Sequence, residues 1–246
     1  MKSFENKIVV ITGATSGIGE VTALQFAYEG ALCILIGRNL EKGKQLVEKI
    51  TYGGGKSKFY QCDISNEKNV ITICNHIKNE FGRVDVLFNN AGIMLPSAEI
   101  ETMPEEDWKK TFAVNIDGLF FVTRNLKPLI FSSKGVIINN ASIAGMHAYV
   151  AGRSYAYSAS KAAVIQFSRQ LAQNYAMDGV RVNCICPGII DTPILGDRDR
   201  KTYAKRIPLG YIGSPEQVAN VVMFLASDKA SYLTGTVIPV DGGISI

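Results

Sequence analysis

Tyr157 and Lys161 lie four residues apart in the run Ser154-Tyr155-Ala156-Tyr157-Ser158-Ala159-Ser160-Lys161, which opens a stretch of helix-forming residues ending near Met177. Side chains at i and i+4 share a helix face, so a phenol and an ammonium can serve one small volume. A phenol ordinarily titrates near about 10, and a neighbouring cation stabilises the phenolate, which brings its proton within reach of transfer at neutral pH. Tyr157 can then give a proton to a substrate oxygen or take one from it. A Tyr and a Lys at this spacing also form ordinary surface pairs, so the rest of the chain has to separate the two readings.

The first element able to position such chemistry is Lys7-Ile8-Val9-Val10-Ile11-Thr12, short, apolar and rich in β-branched residues, as a buried parallel strand is. In the Thr12-Gly13-Ala14-Thr15-Ser16-Gly17-Ile18-Gly19 that follows, the missing side chains permit a tight turn. They also bring a phosphate close to the backbone and let the next helix pack on its strand. That helix, from about Gly17 to Tyr28, directs free N–H groups and its positive dipole end at a pyrophosphate. Gly13, Ser16, Gly17, Ile18 and Gly19 are accordingly candidate cofactor-binding residues.

The second strand, Ala31 to Ile36, ends in Gly37-Arg38-Asn39, about 20 residues on, where the ribose of a dinucleotide is read. An acidic residue there would hold the 2′-hydroxyl and repel a 2′-phosphate. Arg38 instead offers a cationic fork that matches phosphate, which predicts NADP(H) in preference to NAD(H). Two alternatives stay open: Arg38 covers the adenine face, or Glu41 in the next helix takes the ribose. At the end of the fourth strand, Val84 to Phe88, the small residues of Asn89-Asn90-Ala91-Gly92 leave room for a ribose while the Asn side chains tie strands together. Asn90, Ala91 and Gly92 are candidates on that ground. After the sixth strand, Val180 to Ile185, Pro187 and Gly188 fix a turn that leaves amides near Ile190 and the Thr192 hydroxyl free for a carboxamide or phosphates.

The order of these pieces, with Ser142 after the fifth strand (Gly135 to Asn139), resembles the short-chain dehydrogenase/reductase family from about Lys7 to Gly243. The C-terminal third resembles its 3-oxoacyl-carrier-protein reductase-like branch. The resemblance implies reversible hydride transfer between a nicotinamide and a ketone or secondary alcohol. In it Tyr157 is the acid/base, Lys161 lowers the tyrosine pKa and holds the nicotinamide ribose, and Ser142 orients the substrate oxygen. Asn115 kinks the long helix expected over about Pro104 to Ile130, binds a water and feeds a proton relay. It also implies that Asp63 and Ile64 meet the adenine, the alternative for Asp63 being a cap on the helix that starts near Asn66. The charged segment Gly196 to Lys205 becomes part of a substrate lid around residues 193–212. The long helices around Asn115 and after Tyr157 become the interface of a homodimer or homotetramer. Two departures stand out. The loop from Ser142 to Tyr157, with Gly145, Met146, His147, Tyr149 and Val150, is longer than the family pattern by about two residues. Gln173 also sits where an acidic acyl carrier would want a basic residue. The other readings are a nucleotide-sugar epimerase or dehydratase, for which the glycine spacing differs and the chain is too short, and a catalytically idle dinucleotide sensor or scaffold.

Composition agrees with a single α/β domain: 246 residues, 47% hydrophobic and 20% charged, suit one doubly wound Rossmann-type domain over 1–246. About seven parallel strands with helices on both faces are expected. No apolar run reaches membrane length and the first residues lack a signal-peptide core, which predicts a cytoplasmic protein with no membrane partner. Five cysteines, odd in number and mostly in expected strands or helices, read as buried thiols. Cys184 and Cys186 share a strand face, but His76 and His147 are distant in sequence, so no metal is expected. The net charge of +4 is scattered rather than clustered, which points to an anionic cofactor and a small-molecule substrate and away from nucleic acid.

Overall fold

The computed structural model describes residues 2–96, 98–148, 154–197 and 199–246. β1 (Ile8–Thr12), β2 (Leu32–Gly37), β3 (Lys56–Gln61), β4 (Val86–Asn89), β5 (Val136–Asn140), β6 (Arg181–Pro187) and β7 (Val237–Val240) form one sheet in the order β3-β2-β1-β4-β5-β6-β7. Every neighbouring pair is parallel. The strand order reverses between β1 and β4, and the carboxyl ends flanking such a reversal leave a crevice.

The period of two along a strand sends alternate side chains to opposite faces. Val9 and Ile11 of β1, Val86 and Phe88 of β4 and Ile138 of β5 face one core, shared with Phe26 of α1 (Gly17–Tyr28) and Val222 of α8 (Pro215–Ala226). Val10, Leu87 and Ile137 face the other, with Ile77 of α3 (Glu67–Phe81) and Val122 of α5 (Gly118–Ser132). Burial on both faces is why these strands read as unbroken apolar runs. A third cluster joins Cys184 and Cys186 of β6 to Val164 and Ile165 of α6 (Tyr155–Tyr175). All five cysteines are buried free thiols. Among the described residues no helix is long and apolar enough to cross a membrane.

The helix starts are locally encoded. Asn39 accepts from Lys42 N at the head of α2 (Leu40–Tyr52), and Ser214 N donates to Gln217 Oε1 at the head of α8. One expected element is different. The single helix expected over about Pro104 to Ile130 is α4 (Glu105–Phe112), a π-helical turn (Ala113–Asp117) and then α5. The side chain of Asn115, inside that turn, binds backbone atoms of Ile93, and a contact of that kind between distant segments decides where a helix widens.

Candidate active site

A cleft of about 370 Å³ opens at the carboxyl ends of β1, β2, β4, β5 and β6. Its floor is a latch between the strands flanking the reversal. Thr12 Oγ1 accepts from the backbone N–H groups of Asn90 (3.0 Å) and Ala91 (3.1 Å), while Asn90 Nδ2 donates to Thr12 O and Gly13 O, each at 3.1 Å. Asn89 Nδ2 donates across to Asn139 Oδ1, so the asparagines tie strands together as the sequence suggested. Gly13, Ser16, Gly17 and Ile18 line the cleft, and Gly19 does not. Gly19 works from behind: a Cβ there would stand 2.2 Å from Gly13 O, so only glycine lets α1 pack this closely on its turn.

At the β2 end, Arg38 lines the cleft together with Lys42, a residue the sequence reading passed over. Neither side chain has a hydrogen bond or ion pair among the described residues. Glu41, the alternative ribose ligand, is paired with Lys44 at 3.2 Å and is not part of the lining. Asp63 and Ile64 line the same end. Asp63 Oδ1 accepts from the N–H and the hydroxyl of Ser65, whereas Asn66 caps α3 by accepting from Asn69 N. Capping of α3 is therefore not the role of Asp63.

At the other end stand Ser142, Tyr157 and Lys161, with Gly92 beside Lys161; Ala91, Pro187, Gly188, Ile190 and Thr192 complete the lining, Thr192 lying against Gly17. Ser142 follows β5, and its Oγ accepts from Ala144 N, which starts a short 3₁₀ turn at Ile143–Gly145. A Cβ on Gly145 would lie 2.6 Å from the Lys161 carbonyl carbon, so glycine lets this turn press α6 against the site. Tyr149 and Val150 of the following loop lie outside the described residues. Tyr157 lies near enough to Ser142 for the serine to act on its phenol. Lys161 Nζ is 5.7 Å from the Tyr157 ring centre and donates to Asn140 O at 2.7 Å.

The electrostatics correct one expectation. Burial raises the Tyr157 phenol above its ordinary value, with Ser142 acting against that rise, so the pair does not hold the phenol acidic in the way the spacing suggested. Burial also pushes the Lys161 amine down to about 8. Desolvation disfavours charge on both groups, and neither burial was visible in a four-residue spacing. Asn115 lies outside the lining. Its Oδ1 accepts from Ile93 N at 2.8 Å, and its Nδ2 donates to Ile93 O and to Ser160 Oγ, each at 3.0 Å. Ser160 Oγ donates in turn to Tyr157 O, so Asn115 is linked to the helix that carries Tyr157.

Together these groups fit an anionic dinucleotide. Helix α1 begins at the glycine turn, two cations without a side-chain partner among the described residues stand at one end, and a hydroxyl, a phenol and an ammonium at the other. The family described as Enoyl-(Acyl carrier protein) reductase matches residues 13–245. The 3-oxoacyl-[acyl-carrier-protein] reductase FabG of Thermotoga maritima is 40% identical over 246 residues, covering 98% of this chain and 99% of that protein. The meso-2,3-butanediol dehydrogenase of Serratia marcescens is 38% identical over 245 residues, with 98% and 95% covered. The crystal structure of a short-chain type dehydrogenase/reductase from Mycobacterium marinum superposes with a TM-score of 0.94 at 30% identity, covering 99% of this chain and 97% of that one.

Proposed function

Because the chain belongs to the short-chain dehydrogenase/reductase family, and so to the NAD(P)-dependent enzymes acting on CH–OH and C=O groups, we propose that it interconverts a ketone and a secondary alcohol with NADP(H) as preferred cofactor and Tyr157 as acid/base. The observation that carries the reading is the grouping of Ser142, Tyr157 and Lys161 in one cleft, at the far end from Arg38 and Lys42.

When bound, the nicotinamide supplies the hydride. The chain's own part in reduction is the proton. Tyr157, kept protonated by burial, gives its hydroxyl proton to the carbonyl oxygen as carbon accepts the hydride, and in oxidation it takes that proton back. Ser142 holds the same oxygen by a second hydrogen bond and so fixes its direction. Lys161 offsets the charge left on the phenolate and holds the nicotinamide ribose. Asn115 supports the site by clamping the π turn to Ile93 and α6 to both, and it feeds the proton relay from there. At the other end Asp63 and Ile64 would hold the adenine. Arg38 and Lys42 would neutralise the 2′-phosphate, and the amides of the Ser16–Ile18 turn would hold the pyrophosphate. The segment 193–212 acts as a substrate lid, secured by Arg200, whose guanidinium meets Asp191 Oδ1 at 2.8 and 3.0 Å. Assembly into a homodimer or homotetramer runs through the outer faces of α4, α5 and α6.

A second reading, a 3-oxoacyl-carrier-protein reductase in particular, is favoured by the similarity to the Thermotoga protein; Gln173 on α6 offers such a carrier no charge. Turnover of a panel of ketones and a 3-oxoacyl thioester with NADPH and NADH tests the reading. Tyr157→Phe is expected to lower kcat by about 10²–10⁴-fold with cofactor affinity kept, and wild-type turnover in that variant refutes the assignment. Arg38→Asp is expected to raise the KM for NADPH at least about tenfold more than that for NADH, through loss of a charge-assisted contact. An equal rise in both removes Arg38 from the 2′-phosphate.

A further inference from the structure

Ser160 is fully buried on α6, three residues after Tyr157 and next to Lys161, and it stands outside the lining of the cleft. Its hydroxyl bonds in two directions. Oγ accepts from Asn115 Nδ2 at 3.0 Å and donates to Tyr157 O at 2.8 Å. Both hydrogens of the Asn115 amide are thereby committed, since the other goes to Ile93 O, and Asn115 Oδ1 accepts from Ile93 N. Ser160 thus ties the backbone at Ile93, itself a wall of the cleft, to the helix turn that carries Tyr157 and Lys161. The spacing held in this way is close. A Cβ at Gly92, the residue before Ile93, would lie 3.2 Å from Lys161 Nζ and 3.4 Å from Asn115 Oδ1, so the loop after β4 runs against the lysine tip. Removing the Ser160 hydroxyl leaves a buried Asn115 N–H without its acceptor and lets loop and helix shift against each other.

We propose that Ser160 is a positioning residue for the proton donor: through Asn115 it sets the distance between the loop at Gly92–Ile93 and the turn of α6 that presents Tyr157 and Lys161. This rests on the reading that Tyr157 gives the proton. Ser160 itself touches neither substrate nor cofactor, so its effect falls on the chemical step, where a small misplacement of the donor is costly.

The test compares wild type, Ser160→Ala, Tyr157→Phe and the double variant. Reduction of diacetyl, cyclohexanone and acetoacetyl-N-acetylcysteamine is followed with whichever of NADPH and NADH binds wild type more tightly, and the affinity for that cofactor is measured by titration calorimetry. Ser160→Ala is expected to lower kcat about ten- to a hundredfold while cofactor affinity stays within about threefold. In the Tyr157→Phe background the same change is expected to alter the residual rate by less than about twofold, because the group it positions is gone. Ser160→Cys, which keeps the size of the side chain and weakens its hydrogen bonding, carries the same expectation should the alanine variant not fold. Unchanged kcat, a matching loss of cofactor affinity, or a full additional loss in the double variant overturns the role of Ser160 and leaves the acid/base reading standing. Wild-type turnover in Tyr157→Phe, or no turnover of any of the three probes by wild type, overturns both.

Discussion

Lys161 is the residue on which the electrostatics of the site turn. It is 3% exposed, it donates to Asn140 O, and burial holds its amine at about 8 instead of 10.5. Between those values the unfolded chain binds the proton that the folded protein has released, so stability rises with pH across about 8 to 10.5. Below about 8 the buried charge costs its full amount, on the order of 3 kcal/mol. Urea unfolding of wild type and Lys161→Met at pH 7 and at pH 9.5 isolates this. Wild type is expected to gain on the variant by about 1–2 kcal/mol over that interval, and a constant difference would show that the amine titrates as an exposed lysine does. In the proposed mechanism the same depression matters for turnover, because the ammonium that would offset the Tyr157 phenolate begins to be lost near the upper end of the neutral range. The spacing called for the two side chains on one face, and both line the cleft. It could not supply the sign of either shift, since both come from the walls of the cleft, built by β5, β6 and α6 together.

At the scale of elements, what was legible in the sequence is what local physics decides. The β1–glycine–α1 unit could be read because a β-branched run, a turn needing bare backbone and a helix start follow one another without help from distant residues. The boundaries of α2 and α8 could be read for the same reason, their caps lying within three residues of the groups they satisfy. The π turn could not. Asn115 signalled that something interrupts the helix, but the partner that makes a widened turn favourable is the Ile93 backbone, 22 residues away. Gly118, one residue past the turn, packs against Ile64 on another element, where a Cβ would stand 2.7 Å from Ile64 Cδ1. Lys42 was passed over because the sequence reading weighed only Arg38 and the acidic Glu41 as ribose-reading residues. The first turn of α2 sets a second cation on the same rim, four residues after Arg38. For Asp63 the reading left open a local capping role, and Asn66, three residues on, fills it.

At the scale of the whole molecule, the apolar surface left outside the cores indicates where a second copy can bind. Phe120 on α5 is 39% exposed and Trp108 on α4 is 38% exposed, on the pair of helices joined by the π turn, while the Arg124 guanidinium lies 4.8 Å from the Phe120 ring centre. Aromatic and Arg side chains of this kind are enriched at the centres of protein interfaces, and a patch shared by two copies is self-complementary about a twofold axis. The turn between these helices is tied to the helix that carries Tyr157, because Asn115 is clamped to Ile93 and Ser160, so an interface here would stiffen the proposed site as it assembles the protein. Phe120→Glu places two like charges opposite each other in such a symmetric contact without touching either core. It is expected to shift the mass measured by light scattering to a smaller species and to lower kcat several-fold, with NADPH affinity per chain unchanged. A wild-type protein that is monomeric at micromolar concentration, or a variant whose mass matches wild type, would exclude this face as the assembly surface.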